Sequence, residues 1–455
     1  MPAGALRVTT YAQKTVGYTP DRFFESLGEP GQQIAEHHFY SLRISDFGGN
    51  VWSAARVLPQ ISISEAGNGP AYVCDTFVHE LTWEGRCPAS YTKHACRLEF
   101  LCDVDIPCNA CTDTSVTVAG RERHRRSQLN VARVVLEQGH FTLIKHQGRL
   151  SVTIESEVPF PADFESYVTE ALALTLAVNL APAISQRLGG GIDRITASGF
   201  TVNHRIVLAR PVHEFECLGR ETGDTWRFFG AYLSFLIRQG HRGWHPYSQH
   251  ISNAIDAAGT SFASAALALS VAAEGIAKGV VPNTGESSGA AKDAVSSVLS
   301  HLRSWGGTGE AESDEALRHR LEGMVRHLGE CSAKDRFYHM VAASVLHERH
   351  IKSWNKMRHQ LAHGRRPAAS DSEDVLECMW ILLNMVYRLL FYACGYEGWC
   401  TDTSQEGFPR RMFRGRAPRD SEIAVAAYYL WENDIGCSDA DRWDQACTLL
   451  REEKC

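Results

Sequence analysis

Lysine is scarce in this chain of 455 residues. Only nine of its 46 basic residues are lysine, leaving 37 arginines, and 53 acidic residues bring the formal net charge to −7. That balance excludes a protein that coats nucleic acid by bulk charge, though not a local basic site. The opening MPAGALRVTTYAQK has no apolar core of the kind a secretory leader needs, so a cytoplasmic location is expected. A clean membrane-length run is also missing. The most apolar stretch, Val375 to Gly395, contains Glu377, Asn384 and Arg388 and reads as a buried bundle helix. The glycine run 189–191 precedes no phosphate-loop lysine, which excludes a nucleotide-binding loop and leaves a turn. There is only one C-x2-C pair, Cys108-Asn-Ala-Cys111. With Cys102, Cys96 and His94 upstream it could supply zinc ligands, but Cys102 falls in an apolar strand-like run and a second pair is missing. The fourteen cysteines are therefore read mainly as reduced thiols, and no metal or cofactor is expected.

What the chain does contain is a soluble globular composition, 44% hydrophobic and 22% charged, with length for two or three domains. Residues 1–221 read as β-rich. The runs 39–47, 69–78 and 97–106 are rich in aromatic and β-branched residues. The clearest unit is FTLIKHQGRLSVTIESE, 141–157, where Gln147-Gly148 predicts a turn between two alternating strands. LNVARVVLE, 129–137, is a candidate third strand. RERHRR, 121–126, could meet phosphates, but without interleaved aromatic residues it reads better as a solvated loop. Asp163 predicts the N-cap of an apolar helix that Pro182 kinks or ends. Residues 199–212 look like one more strand.

From about Asp224 the periodicity becomes helical. Helices are expected over 225–240, over 261–281, from about 293 to Trp305 and, after a flexible acidic stretch over 306–315, a further one to about Leu328. One long helix is expected over 336–363 and a further apolar one over 374–395. The 261–281 segment is rich in small residues that allow close packing. Its Glu274 interrupts the apolar face and reads first as a capped or solvent-facing acid. A sharper alternative is an acid that orients a site residue on a neighbouring helix. Residues 401–420, strongly basic, are expected to be a linker, with a strap against RNA as the alternative. Residues 421–455 read as a helix hairpin with Tyr428, Trp431 and Trp443 in its core.

The stretch WNKMRHQLAHG, 354–364, closes the long helix, with Gly364 as the residue past its end and Pro367 as the stop signal. Arg358 and His363 lie five residues apart, a rotation of roughly 140° on a regular helix, with His359 beside the arginine. A permanently charged fork suits a phosphate, and imidazole titrates near neutrality and can move protons. By itself the spacing is weak, because about one or two Arg-x4-His pairs arise by chance in a chain so rich in both residues.

The run RHQLAHG resembles the motif of HEPN domains, all-helical bundles found in many prokaryotic toxins and antiviral proteins. ALALSVAAEGI, residues 266 to 276, is similar to an early helix of the ApeA-like branch of that group. The resemblance implies a metal-independent endoribonuclease over 222–400 whose composite site forms when two protomers pair. Arg358, His359 and His363 fall on the motif positions, with His359 where asparagine is commoner. Residues 1–221 resemble the sensor-like region preceding the bundle, and 421–455 a small bacterial domain of unknown function. The expectation is therefore an α+β multidomain protein: a β-rich sensor domain, a HEPN bundle, a basic linker and a C-terminal helix hairpin. Its implied role is RNA cleavage by 2′-hydroxyl transesterification in antiphage defence or abortive infection, with tRNA or other translation-related RNA as substrate. The implied partners are a second copy of the chain, a phage-derived trigger or an antitoxin, and no membrane. Alternatives are a catalytically silent HEPN scaffold that binds nucleic acid or protein, or the toxin of a toxin–antitoxin pair.

Overall fold

The computed structural model describes residues 6–12, 39–46, 48–66, 69–78, 80–86, 92–118, 121–198, 208–214, 223–281, 289–305, 311–328, 332–362 and 372–415. The protein is α+β, and it divides into two compact units. The first comprises Met1–Ile206 with Glu214–Trp244, the second Val207–His213 with His245–Cys455.

The first unit is built on an antiparallel sheet. Its strands are β1 (Leu6–Ala12), β2 (Tyr40–Ser45), β3 (Val51–Ala66), β4 (Gly69–Val78), β5 (Glu80–Arg86), β6 (His94–Phe100), β7 (Ala110–Val118), β8 (Arg121–Leu136), β9 (Gly139–His146), β10 (Arg149–Ser156), β11 (Ile184–Gly189) and β12 (Ile192–Ser198). They run in the order β1-β4-β3-β5-β12-β11-β6-β10-β9-β8-β7, with β2 paired to β3. The β9–β10 hairpin forms as its sequence predicts. His146 pairs with Arg149, so Gln147 and Gly148 are the two-residue turn, and Gly148 has φ 69°. Leu150, Val152 and Ile154 are buried on one face while Ser151, Thr153 and Glu155 alternate with them. The glycine run is the matching turn between β11 and β12, with Gly189 paired to Ile192.

Residues 121–126 are not a loop. They extend β8 and pair with β7, Arg126 opposite Thr114 and His124 opposite Val116. Polar residues on both faces hide such a ribbon from any periodicity test, because the main-chain ladder needs no apolar side. The strand expected over 97–106 stops at Phe100. The strand expected over 199–212 lies outside the described residues up to 207, and 208–214 are not strand.

Helix α1 (Phe164–Leu176) follows Asp163, which occupies the N-cap position without a side-chain capping bond. The helix does not run on to Pro182. Ala177 turns left-handed at φ 51°, and its N–H and that of Val178 close back onto Ala173 and Leu174. Tyr167 to Leu176 are all buried, and the left-handed turn at Ala177, five residues before the proline, ends the helix.

Helix α2 (Asp224–Gln239) belongs to this first unit, whereas the boundary expected at 222 put it in the bundle. Its Trp226 donates to Pro107 O at 3.0 Å, Phe229 meets Phe141 edge-on at 5.5 Å, and Gln138 donates to Ser234 at 2.8 Å. Gly230 lies against Leu136 so closely that a Cβ there would come within 2.8 Å. Helical spacing had marked the helix correctly but could not say which surface its apolar face meets.

The second unit is a helical bundle. Its helices are α3 (Pro246–Ala258), α4 (Phe262–Val280), α5 (Gly289–Ser304), α6 (Ala311–Leu328), α7 (Ala333–Ala342), α8 (Glu348–Ala362) and α9 (Ser372–Cys394). Helix α3 had no counterpart in the sequence reading. It packs on α4 where glycines open space: a Cβ at Gly275 would meet His250 at 2.2 Å, and one at Gly279 would meet Tyr247 Oη at 2.0 Å. The central pair is α4 and α9. Both are long and apolar enough to cross a membrane by length and composition, but 78% of the α9 window is buried inside the protein.

Two corrections concern this unit. The helix expected over 336–363 is two helices. Ser344 between them is left-handed at φ 59°, and Arg388 of α9 donates to Val345 O at 2.6 Å, holding the break. Val345 and Leu346 are thereby buried, which a continuous helix would not require. The basic stretch expected as a linker is ordered through residue 415. Strands β13 (Gly398–Thr401) and β14 (Arg410–Phe413) form a hairpin in which Cys400, Thr401 and Phe413 are buried, Phe413 against Phe391 at 5.3 Å. The hairpin expected over 421–455 lies outside the described residues.

Candidate active site

Helix α8 sorts its residues sharply. Ile351, Trp354 and Met357 are buried at i, i+3 and i+6, while Lys352, Asn355, Lys356, Arg358 and His359 are exposed. Arg358 sits one turn beyond Trp354, where the buried stripe reaches the surface. Its Nη1 donates to Glu274 Oε1 of α4 at 2.8 Å. Trp354 Nε1 donates to the same oxygen at 3.1 Å, and the guanidinium carbon lies 5.3 Å from the centre of the indole. Phe337 of α7 meets that indole edge-on at 5.0 Å. One carboxylate and one aromatic face therefore locate the guanidinium. The sharper reading of Glu274 describes its geometry: it orients a residue on a neighbouring helix.

The Arg358 side chain is 48% exposed and that of Glu274 28%. Such a pair adds little to stability because solvent screens it and two side chains must be ordered. What it does add is direction, leaving a half-exposed cation at a fixed place and angle. His359 is exposed immediately beside it. Lys356, a half-turn away, is held by Asp374 of α9 at 3.0 Å. His363, Gly364 and Pro367 lie outside the described residues, so the structure places two of the three expected site residues, Arg358 and His359, side by side.

The other end of α8 holds a polar chain that the sequence reading missed. His350 is fully buried. Its Nδ1 accepts from the His347 N–H at 3.0 Å, which leaves Nε2 as the protonated nitrogen, donating to Asn384 Oδ1 at 3.1 Å. Asn384 Nδ2 donates to Asp402 Oδ1 at 3.1 Å, and that oxygen also accepts from the hydroxyl and N–H of Ser404. Asp402 Oδ2 faces Arg349 at 3.7 Å. Burial, then the charges of Arg388, His347 and Arg349, push the His350 pKa well below its ordinary value, so the ring is neutral. The chain pins α8 to α9 and to the β13–β14 hairpin. A signal was available in Asn384 and Arg388, two polar residues inside an apolar helix; nothing in the sequence named their partners.

Cys108 is buried and its thiol donates to Ile106 O at 3.4 Å, whereas Cys111 is exposed. Burial lifts the thiols of Cys102 and Cys108 to about 11, so both are protonated near neutrality and poor metal ligands as they stand. Among the described residues, no group of three or more His, Cys, Asp or Glu is placed to hold a metal ion. Elsewhere in the first unit, Asp105, Cys108, Asn130, Lys145 and Gln147 line a half-open polar cleft of about 330 Å³.

Comparison of the chain with protein-family models, with curated proteins and with solved structures found no match.

Proposed function

We propose that the helical unit is a metal-independent endoribonuclease of HEPN type. The observation that carries this reading is the Arg358 guanidinium, held by Glu274 and the Trp354 ring at the exposed end of α8 with His359 beside it. A preset cation at a protein surface is suited to an RNA phosphate, whose charge grows as the reaction proceeds. In the proposed reaction the 2′-oxygen loses its proton and attacks the adjacent phosphorus. The P–O5′ bond breaks, and the 5′-oxygen takes a proton, leaving a 2′,3′-cyclic phosphate and a 5′-hydroxyl. Arg358 neutralises the phosphate. His363 is the first choice for proton transfer, and His359 assists it or orients the neighbouring backbone.

One arginine and two histidines make a small set for substrate binding and two proton transfers. A two-fold pairing of copies doubles it in one groove, so the active form is a homodimer. The β-rich unit is the proposed sensor, and the setting proposed is antiphage defence in a prokaryotic cytoplasm. The test is sequencing of RNA ends after induction in cells, comparing the natural chain with Arg358→Ala. New 5′-hydroxyl ends that depend on Arg358 and persist in EDTA are expected. Cleavage that stops on chelation and returns with added metal would overturn the mechanism.

A second reading rests on the same ion pair. Glu274 already neutralises Arg358 in this conformation, as suits a HEPN bundle that binds nucleic acid or protein without cutting it. Ends identical in the two strains would favour that reading.

A further inference from the structure

We propose that the outward face of the β13–β14 hairpin is a stacking platform for single-stranded RNA, on which Trp399 takes an unpaired base while Arg410 and Arg414 take the flanking phosphates. The register sets the two faces of the hairpin. Trp399 pairs with Met412, while Gly398, Cys400 and Thr401 pair with Phe413, Arg411 and Arg410. Side chains alternate along a strand. Gly398, Cys400, Arg411 and Phe413 therefore share one face, and Trp399, Thr401, Arg410 and Met412 share the other, which Arg414 continues. The first face is the inner one. Cys400 and Phe413 are buried on it, the Phe413 ring lies 5.3 Å from Phe391, and the Arg388 guanidinium stands 5.3 Å over the same ring. Arg411 donates to Gln405 Oε1 at 3.1 Å. These contacts mount the hairpin on α9 without help from Trp399. Asp402, the next residue after β13, faces Arg349 at 3.7 Å and so ties the mount to the start of α8, the helix that carries Arg358.

The outward face has the opposite make-up. Trp399 is 42% exposed and Arg410 is exposed, with Met412 and Arg414 half-buried. The Arg410 guanidinium lies 5.6 Å from the centre of the Trp399 ring, a cation–π contact that holds an exposed indole in one orientation. Thr401 closes one end of the face: its N–H donates to Pro211 O at 2.9 Å, and its hydroxyl oxygen accepts from the His213 N–H at 2.9 Å. Alternation carried one residue back from β13 adds Glu397 to that side, so two arginines meet one acid and the charge stays positive. An acidic protein surface would match the arginines and gain little from the indole. A single strand of nucleic acid offers both chemistries in turn, because every base has a π face and every linkage a phosphate. In a duplex those base faces are already stacked on each other. The choice of RNA over DNA rests on the cleavage proposed for the same unit.

The experiment uses the full chain carrying Arg358→Ala, so that RNA is bound without being cut, and a fluorescein-labelled single-stranded RNA of about 12 nucleotides, within the usual site size. Fluorescence anisotropy gives the dissociation constant. Adding Trp399→Ala should raise it about ten-fold, the scale for losing one stacked base, and Trp399→Phe should recover most of that loss. Arg410→Gln with Arg414→Gln should flatten the plot of log affinity against log salt by about 1.4, at about 0.7 per phosphate contact on a single strand, whereas Trp399→Ala should leave that slope unchanged. The same RNA annealed to its complement should bind at least about ten-fold more weakly, its base faces being stacked away. No binding at micromolar concentration overturns the proposal. So does a duplex bound equally well, or a dissociation constant that none of the substitutions moves. If Trp399→Ala lowers the melting temperature and leaves affinity as it was, the indole is a packing residue under the chain's own residues 416–455, and the proposal is again wrong. The two readings fail separately. RNA ends that depend on Arg358, with binding indifferent to Trp399, would leave the cleavage and remove the platform. Binding that depends on Trp399, with no cleavage by the chain bearing Arg358, would keep the platform and remove the cleavage.

Discussion

The two ends of α8 carry similar residue types in opposite settings. At the first turn His350 is sealed from solvent, neutral, and bonded through both ring nitrogens. About 12 Å along, at 1.5 Å per residue, Arg358 is half exposed, charged, and held by one carboxylate. The buried end couples α8 to α9 and the β13–β14 hairpin; the contacts given for Arg358 itself are with Glu274 of α4 and Trp354 of its own helix. A buried polar group left unpaired costs its full desolvation, whereas an exposed pair is worth little. Stability should therefore depend on the His350 end and activity on the Arg358 end.

The largest expected effect tests the active end. Arg358→Ala should lower RNA cleavage by roughly 100-fold or more, the scale for removing a group that stabilises transition-state charge. Unfolding free energy should change by less than about 0.5 kcal/mol. Loss of both activity and fold would make Arg358 a structural clamp and remove the contrast between the two ends.

Asn384→Leu tests the buried end. It strips His350 Nε2–H of its acceptor and Asp402 of a donor, and should destabilise the chain by about 3 kcal/mol. Urea unfolding measures this; an unchanged midpoint would show that the polar chain does not hold α8.

Acid sharpens the same comparison. Because the folded pKa of His350 lies well below 6.5, the unfolded chain binds the extra proton first as pH drops. The contribution of neutral His350 is fully present above about pH 6.5 and is lost as pH falls below it. The slope from this group approaches about 1.4 kcal/mol per pH unit until the folded pKa is reached. His350→Gln keeps a donor toward Asn384 and cannot titrate. Stability curves from pH 7.5 to 5.5 for the two chains should diverge by that slope, and parallel curves would exclude His350 as the source.

The smallest effect concerns Glu274. Glu274→Gln keeps an acceptor for Trp354 and Arg358 and should leave stability within about 1 kcal/mol of the natural chain. Glu274→Ala should lower kcat while changing KM little, with Gln restoring most of the loss. An alanine variant with undiminished kcat would mean that the pairing seen here does not orient Arg358 in the reaction.

How much of this was legible in the sequence depended on which interaction decided each element. The β9–β10 hairpin was readable because turn chemistry and alternation are both local, so Gln147-Gly148 and the stripe Leu150, Val152, Ile154 point one way. The α4 helix, its close packing and the burial of α9 were likewise carried by small and apolar residues at helical spacing. Arg358 and His359 could be named as candidates because they share one short run.

Other features depended on contacts between residues far apart in the chain. Polar residues on both faces left the pairing of 121–126 with β7 without a periodic signal. Ser344 breaks the expected long helix where Arg388, 44 positions later, takes the Val345 carbonyl. The amphipathic α2 could have closed on either unit until Phe141 and Leu136 supplied its surface. Composition and local periodicity determined which segments would be helix or strand and which faces would seek burial. Tertiary structure alone decided that Glu274 meets Arg358 and that His350, Asn384 and Asp402 form one chain, because a hydrogen bond between distant side chains leaves no periodic trace in either segment.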